Sequence, residues 1–98
     1  MGEGFAPPLF RLYVAGDSPN SLLALRNLHA LCEQLYGEKY RLEVIDVLLS
    51  PERAWADGVI ATPTTLKLTP APKAQIIGNL SNTEQVLGVL NFSAERHD

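Results

Sequence analysis

Few side chains in this 98-residue chain are of a type that could do chemistry. They are one thiol, Cys32; two hydroxyls, Ser18 and Ser21, ahead of an imidazole, His29; and two carboxylates beside apolar runs, Asp17 and Asp46. A thiol reacts as the thiolate, which a helix N-terminus favours and a helix C-terminus disfavours. A serine nucleophile needs a base within hydrogen-bond reach. A metal needs several His, Cys, Asp or Glu side chains converging on one point. Each requirement concerns position, so the elements that carry these residues decide between them.

Leu9 to Ala15 is a short apolar run closed by Gly16, which reads as a buried strand. Ser18-Pro19 then supplies a helix N-cap with proline in the first helical position, where its missing N–H costs nothing. From Pro19 to Tyr36, Leu22, Leu25, Leu28, Leu31, Cys32 and Leu35 recur at spacings of three and four, and Gly37 ends the pattern. Tyr40 to Val47 reads as a strand with Leu42 and Val44 on one face and Ile45 and Val47 on the other, as a central strand covered on both sides would be. Ser50-Pro51 opens a short helix to about Trp55, ended by Asp57-Gly58. Thr64 to Leu68 and Gln75 to Ile77 are β-prone runs joined by Pro70-Ala71-Pro72. Ser81-Asn-Thr-Glu84 has the pattern of a capping box ahead of a last helix with Val86, Leu87 and Leu90 on its apolar stripe. The order βαβ-α-ββα, with a right-handed first crossover, is that of a thioredoxin-like α/β fold: a mixed four-stranded sheet with helices on both faces.

On these elements the chemistry dissolves. Where thiol oxidoreductases of this fold carry Cys-x-x-Cys, this chain has Asp17-Ser-Pro-Asn-Ser21. Cys32 lies near the far end of the helix on its apolar stripe, as a buried structural cysteine would. His29 is about 12 Å from Ser21 along the axis at 1.5 Å per residue, too far for a proton relay, which leaves Ser18 as a cap. Asp46 follows a strand centre and is placed to cap the next loop, and nothing clusters with His97 in the polar tail. No catalytic, metal or cofactor constellation emerges, and the expectation is a non-enzyme.

Composition narrows the class further. With 46% hydrophobic and 19% charged residues and no run of ~18 apolar residues, the chain reads as a soluble domain rather than a membrane protein. A net charge of −3 without a Lys/Arg cluster argues against nucleic acid or anionic lipid as a partner. The N-terminus lacks a basic segment followed by an apolar core, so a cytoplasmic location is expected. The expected organisation is a mobile arm over residues 1–8, one domain over 9–92 and a polar tail over 93–98.

Five blocks, Tyr13-Val-Ala-Gly16, Ser18-Pro-Asn-Ser21, Val44-Ile-Asp-Val-Leu48, Ala61-Thr-Pro-Thr64 and Ile76-Ile-Gly-Asn-Leu-Ser81, run collinearly within Leu9 to Leu90 and resemble the KaiB family of the bacterial circadian clock. The resemblance implies a non-enzymatic adaptor, without cofactors, that binds a KaiC-type RecA-like hexameric ATPase. There it modulates the phosphorylation cycle or output signalling of a circadian or stress-timing system, with a SasA-type histidine kinase or another clock regulator engaged indirectly. It also implies a homo-oligomer, dimer or tetramer, and metamorphism: a ground-state fold exchanging with the thioredoxin-like one. Under the resemblance Arg11, Arg26 and Lys67 are the partner contacts, and Pro63, Pro70, Pro72, Gly88 and Asn91 the conformational positions. X–Pro bonds have a trans preference of only ~0.5–1 kcal/mol, which gives slow fold exchange a physical route. The chain departs from the family by carrying Leu23, Glu43, Gly58, Ala74 and Gln75 where basic residues are common, so a divergent paralogue is expected. The alternative reading is a free-standing interaction domain, similar to the sensor domain of SasA, with another partner.

Overall fold

The structure is a computed structural model that describes residues 6–94, with side chains described through residue 90. Its elements are β1 (Leu9–Val14), α1 (Pro19–Tyr36), β2 (Arg41–Asp46), α2 (Pro51–Ala56), β3 (Thr64–Thr69), β4 (Ala74–Ile77) and α3 (Thr83–Ala94). The sheet order is β2-β1-β3-β4, with β1 parallel to β2, and β3 antiparallel to both β1 and β4. This is the thioredoxin-like arrangement. His97 and most of the tail and arm lie outside the described residues.

The helix signals act where the residues put them. Ser18 Oγ accepts from the Ser21 N–H, Pro19 occupies the first turn, and the Gly37 N–H closes α1 on the Glu33 carbonyl at 2.9 Å. Gly37 has φ +66, a conformation glycine adopts without a Cβ penalty. At α3 the cap is displaced from the expected position. Asn82, not Ser81, accepts from the Gln85 N–H through its side chain at 3.1 Å, so the Ser81–Glu84 capping box does not form. Ser50 likewise makes no side-chain cap bond at α2.

The two sheet faces are covered unequally. On one, Phe10, Leu12 and Val14 pack against Ala24, Leu28, Leu31 and Cys32 of α1 and Val86 and Leu90 of α3. Phe10, Leu12 and Leu28 are essentially sealed from solvent, and each such side chain contributes about 1.5–3 kcal/mol by burial. On the other face Tyr13, Ile45 and Leu66 pack with Ala54, since the six-residue α2 can cover only part of a sheet. The expectation of a central β2 is corrected here: β1 takes the centre and β2 is an edge strand. At that edge Val44 is 47% exposed despite its apolar type. Alternation within β2 places the expected residues on each face but carries no information on strand order.

Candidate functional site

The carboxyl ends of β1 and β2 and the amino end of β3 meet at one end of the sheet, because β3 runs antiparallel to the other two. The turn from β1 into α1 is a closed hydrogen-bond knot. Ser18 Oγ donates to Ser21 Oγ at 2.8 Å, and Ser21 Oγ accepts from the Ala15 N–H at 3.1 Å. The Asp46 carboxylate bridges two strand ends, accepting from the Gly16 N–H at 3.0 Å and the Leu48 N–H at 2.9 Å. Gly78 N–H donates to the Pro63 carbonyl at 2.9 Å, and Asn79 reaches Asn20 Oδ1 at 3.2 Å. Asn27 holds the Asn79 carbonyl at 2.9 Å, next to Leu80, whose φ of +67 is unfavourable for leucine and is sustained by burial of its side chain in the core. Ser18, Ser21 and Asp46 are each engaged structurally, so none of the three is free to act as nucleophile or base, and Asp17 lies exposed in the same turn.

What this end presents to solvent is apolar. Leu48 is 69% exposed, Leu49 81% and Ile60 87%, while Trp55, also 87% exposed, stands on α2. Leu48 lies over Gly16, where an added Cβ would meet its Cδ1 at 3.4 Å. Strands β2 and β3 flank β1, so their ends stand about 10 Å apart, two strand spacings, and Leu48, Leu49 and Ile60 belong to the segments that leave β2 and lead into β3 at this end. Leu22, also exposed, sits with Pro19, Leu23 and Arg26 on the first turns of α1 at the same end.

On the sheet face beneath α2, a charged network ties three elements together. Arg11 Nε meets Glu43 Oε1 at 2.8 Å, an Arg11 terminal nitrogen meets Asp57 Oδ2 at 2.9 Å, and Arg53 meets Glu43 Oε2 at 2.9 Å. The Tyr13 hydroxyl donates to Asp57 Oδ2 at 2.5 Å and lies 3.0 Å from the Arg53 carbonyl. The guanidinium of Arg11, followed by that of Arg53, holds the Glu43 carboxyl below the usual carboxylate range, and the Tyr13 and Arg11 donors do the same for Asp57. Burial, followed by the adjacent Asp57, pushes the Tyr13 phenol up to about 12.

The three basic residues that the resemblance implies as contacts are therefore not equivalent. Arg26 is exposed at the apolar end. Arg11 is consumed by Glu43 and Asp57, and its pKa is raised chiefly by the bond to Glu43. Lys67 is only 3% exposed; its ammonium donates to the Pro70 carbonyl at 2.8 Å, and burial pushes its pKa down. Of the conformational positions, Pro63 is buried at the start of β3, while Pro70 and Pro72 are exposed in the β3–β4 connection, and all three follow cis peptide bonds. Gly88 lies exposed on α3, with nothing within 4 Å of a Cβ built there, and the side chain of Asn91 falls outside the described residues. Cys32 is fully buried, its thiol pushed up to about 12 by burial, and His29 Nδ1 lies 3.0 Å from the Tyr40 hydroxyl, away from both serines. Among the described residues no group of three His, Cys, Asp or Glu could hold a metal ion, and no helix is long and apolar enough to cross a membrane.

The expected capping of the next loop by Asp46 is seen in its bond from the Leu48 N–H, while sequence reasoning did not find its second bond, from the Gly16 N–H, nor the Tyr13–Asp57 bond or the Arg53 branch. The Leu48-Leu49 pair, which follows Val47 in the short stretch between β2 and α2, is a signal that could have pointed to an exposed apolar end.

Residues 11–92 match the KaiB domain family. The chain is 48% identical over 79 residues to the circadian clock oscillator protein KaiB of Prochlorococcus marinus (strain MIT 9211), covering 81% of this chain and 69% of that protein. It is 43% identical over 87 residues to the circadian clock protein KaiB3 of Synechocystis sp. (strain ATCC 27184 / PCC 6803 / Kazusa), covering 89% and 85%. Among solved structures, the N-terminal domain of Synechococcus elongatus SasA superposes with a TM-score of 0.74 at 20% identity, over 95% of this chain and 92% of that one, a likeness of fold. With the family match spanning most of the chain and the relatives named as circadian clock proteins, this chain belongs to the KaiB family.

Proposed function

We propose that the chain is a clock adaptor that docks on a KaiC-type hexameric ATPase through the exposed apolar end of its sheet and so modulates the ATPase's phosphorylation cycle or its output. The observation that carries this reading is the set of large apolar side chains, Leu48, Leu49 and Ile60, with Trp55 on α2, left exposed near a turn whose Ser18, Ser21 and Asp46 side chains are hydrogen-bonded within the fold. Large exposed apolar surface on a small soluble domain marks an interaction site. Aromatic and apolar anchors at the centre of an interface carry most of its energy, with charges at the rim setting orientation and on-rate. Arg26 is the rim charge at this end. Arg11 and Lys67 do not serve as direct contacts in this fold, because the one is paired internally and the other is buried.

The removal of two of the three basic contacts from the surface favours a second reading, in which a different regulatory partner uses the same apolar end. Light-scattering chromatography separates the two. The chain is run alone and after hours of incubation with the KaiC-type ATPase of the same source, long enough for any slow fold exchange. A complex larger than the ATPase supports the adaptor reading. Separate elution after the full incubation overturns it and leaves the second.

A further inference from the structure

Strand β4 forms one edge of the sheet. Edge strands are commonly blunted by charges, prolines or bulges, and Ala74-Gln-Ile-Ile77 carries none of these. The Gly78 N–H donates to the Pro63 carbonyl at 2.9 Å, so Gly78 turns its backbone groups toward β3, and along an antiparallel ladder that direction alternates. Ile76 and Ala74 therefore bond to β3 as well, while the N–H and C=O groups of Gln75 and Ile77 point outward. Among the described residues nothing pairs with them.

A recess lies beside this edge on each face of the sheet. Ile76 packs with the core under α1 and α3, which puts Ala74 on that face too. There a groove of about 620 Å³ has Pro72 and Ala74 on one wall and Gly88 and Val89 on the other. A Cβ built on Gly88 meets nothing within 4 Å, so the helix wall leaves room. Lys73 and Glu84 stand at the rim with opposite charges, which favours an uncharged occupant. On the opposite face Gln75, the ladder partner of Leu66, adjoins a recess of about 340 Å³ lined also by Leu66, Leu68 and Asp57. The Asp57 carboxylate already holds Tyr13 and Arg11. Side chains of a strand alternate between faces, so one strand laid along β4 sends two neighbouring side chains into the two recesses while its backbone meets Gln75 and Ile77.

We propose that the β4 edge takes up an extended, uncharged segment of another protein as a fifth strand. A large apolar side chain enters the groove opposite Ala74, and the next side chain enters the recess opposite Gln75. Backbone bonds hold the segment and the recesses select its side chains. A second copy of this chain fits less well, because its own β4 offers the groove only Ala74, which is small, and Ile76, which is packed in its own core. A four-residue edge is also short for the ~1,200 Å² that a stable dimer buries.

The test uses a blocked peptide with adjacent phenylalanine and valine flanked by threonines, titrated into the ¹⁵N-labelled chain and read by amide shifts and hydrogen exchange. At saturation, exchange at the Gln75 and Ile77 amides should slow by about tenfold or more, because these are the donors an added strand engages. Ala74 and Ile76, already bonded to β3, should change little. Two altered peptides are the controls: one has alanine for phenylalanine, and one is N-methylated throughout, which keeps the side chains and removes the backbone donors. Both should bind about tenfold or more weakly. Gln75→Pro removes an outward N–H without touching the β3 ladder, and Gly88→Leu fills the groove; each should weaken the peptide by a similar factor. The two variants act on different elements, so misfolding of one, read from its melting temperature, does not stand in for the other. Unchanged exchange at Gln75 and Ile77, equal binding of the N-methylated peptide, or a folded variant of either kind that binds as the parent does would overturn the proposal. So would concentration-dependent dimerisation that protects the same two amides without peptide, which would give the edge to a second copy.

Discussion

Replacing Lys67 by methionine should make the protein more stable. Lys67 is 3% exposed, and among the described residues its ammonium holds a single acceptor, the neutral Pro70 carbonyl at 2.8 Å. Burying an ion without a counter-charge costs several kcal/mol, and a hydrogen bond to a charged group returns about 1.5–3 kcal/mol. Methionine has nearly the same length, carries no charge and packs readily in irregular space. The orphaned carbonyl belongs to the exposed Pro70, where water can reach it. The balance favours Lys67→Met by about 1–2 kcal/mol, or roughly 4–15 °C in Tm for a domain of this size. Urea and thermal melts followed by far-UV circular dichroism measure it; Trp55 fluorescence would not serve, because that side chain is exposed in the folded state. The pH dependence supplies a second arm. Burial lowers the Lys67 pKa in the fold, so above that lowered value the unfolded chain binds the extra proton and the parent gains stability as pH rises. The advantage of the methionine variant should shrink as pH rises through ~10.5, above which lysine is neutral in both states. A variant less stable than the parent by 1 kcal/mol or more, or an advantage that does not change with pH, would refute the reasoning. Lys67→Glu, by contrast, sets a carboxylate against a carbonyl and should destabilise the fold, so its effect on any complex would report folding rather than docking.

Three further outcomes follow from named contacts. Glu43 and Asp57 are held below the usual carboxylate range, so their stabilisation is full above ~pH 4 and is lost as pH falls through their depressed folded values. Tyr13→Phe, which removes the donor on Asp57, should make acid unfolding set in at a higher pH, measured by acid titration of ellipticity. Cys32, fully buried and pushed up to about 12, should react with a thiol reagent at pH 8 at the rate of unfolding, and fast native labelling would contradict its place in the core. Asn82→Ala should cost about 1 kcal/mol in denaturant melts and Ser81→Ala close to nothing, since Asn82 makes the α3 cap bond.

The parts of this fold that were legible in the sequence are those set by near neighbours. The Pro19–Tyr36 helix ends where Ser18, Pro19 and Gly37 place its boundaries, because caps and periodicity act over a few residues. The edge position of β2 was not legible, since which strands pair depends on contacts across the chain. Lys67 shows the same limit: in Thr64–Thr69 a lysine between two leucines looks like the solvent side of a strand, yet it is buried. The Arg11, Glu43, Arg53, Asp57 and Tyr13 network joins residues ten to forty-six positions apart, and no local pattern announces it. At the candidate site the leucines and Ile60 were visible as apolar residues, but no local pattern announced that the fold leaves them exposed.

The most direct measurement on the proposed docking end is the affinity of Leu49→Asp/Ile60→Asp for the KaiC-type ATPase, determined beside the parent chain after equal incubation. Both side chains are more than four-fifths exposed, so the melting temperature should not move, and affinity should fall by about tenfold or more if they are anchors. Undiminished binding by the folded double variant would place the interface elsewhere and contradict the account.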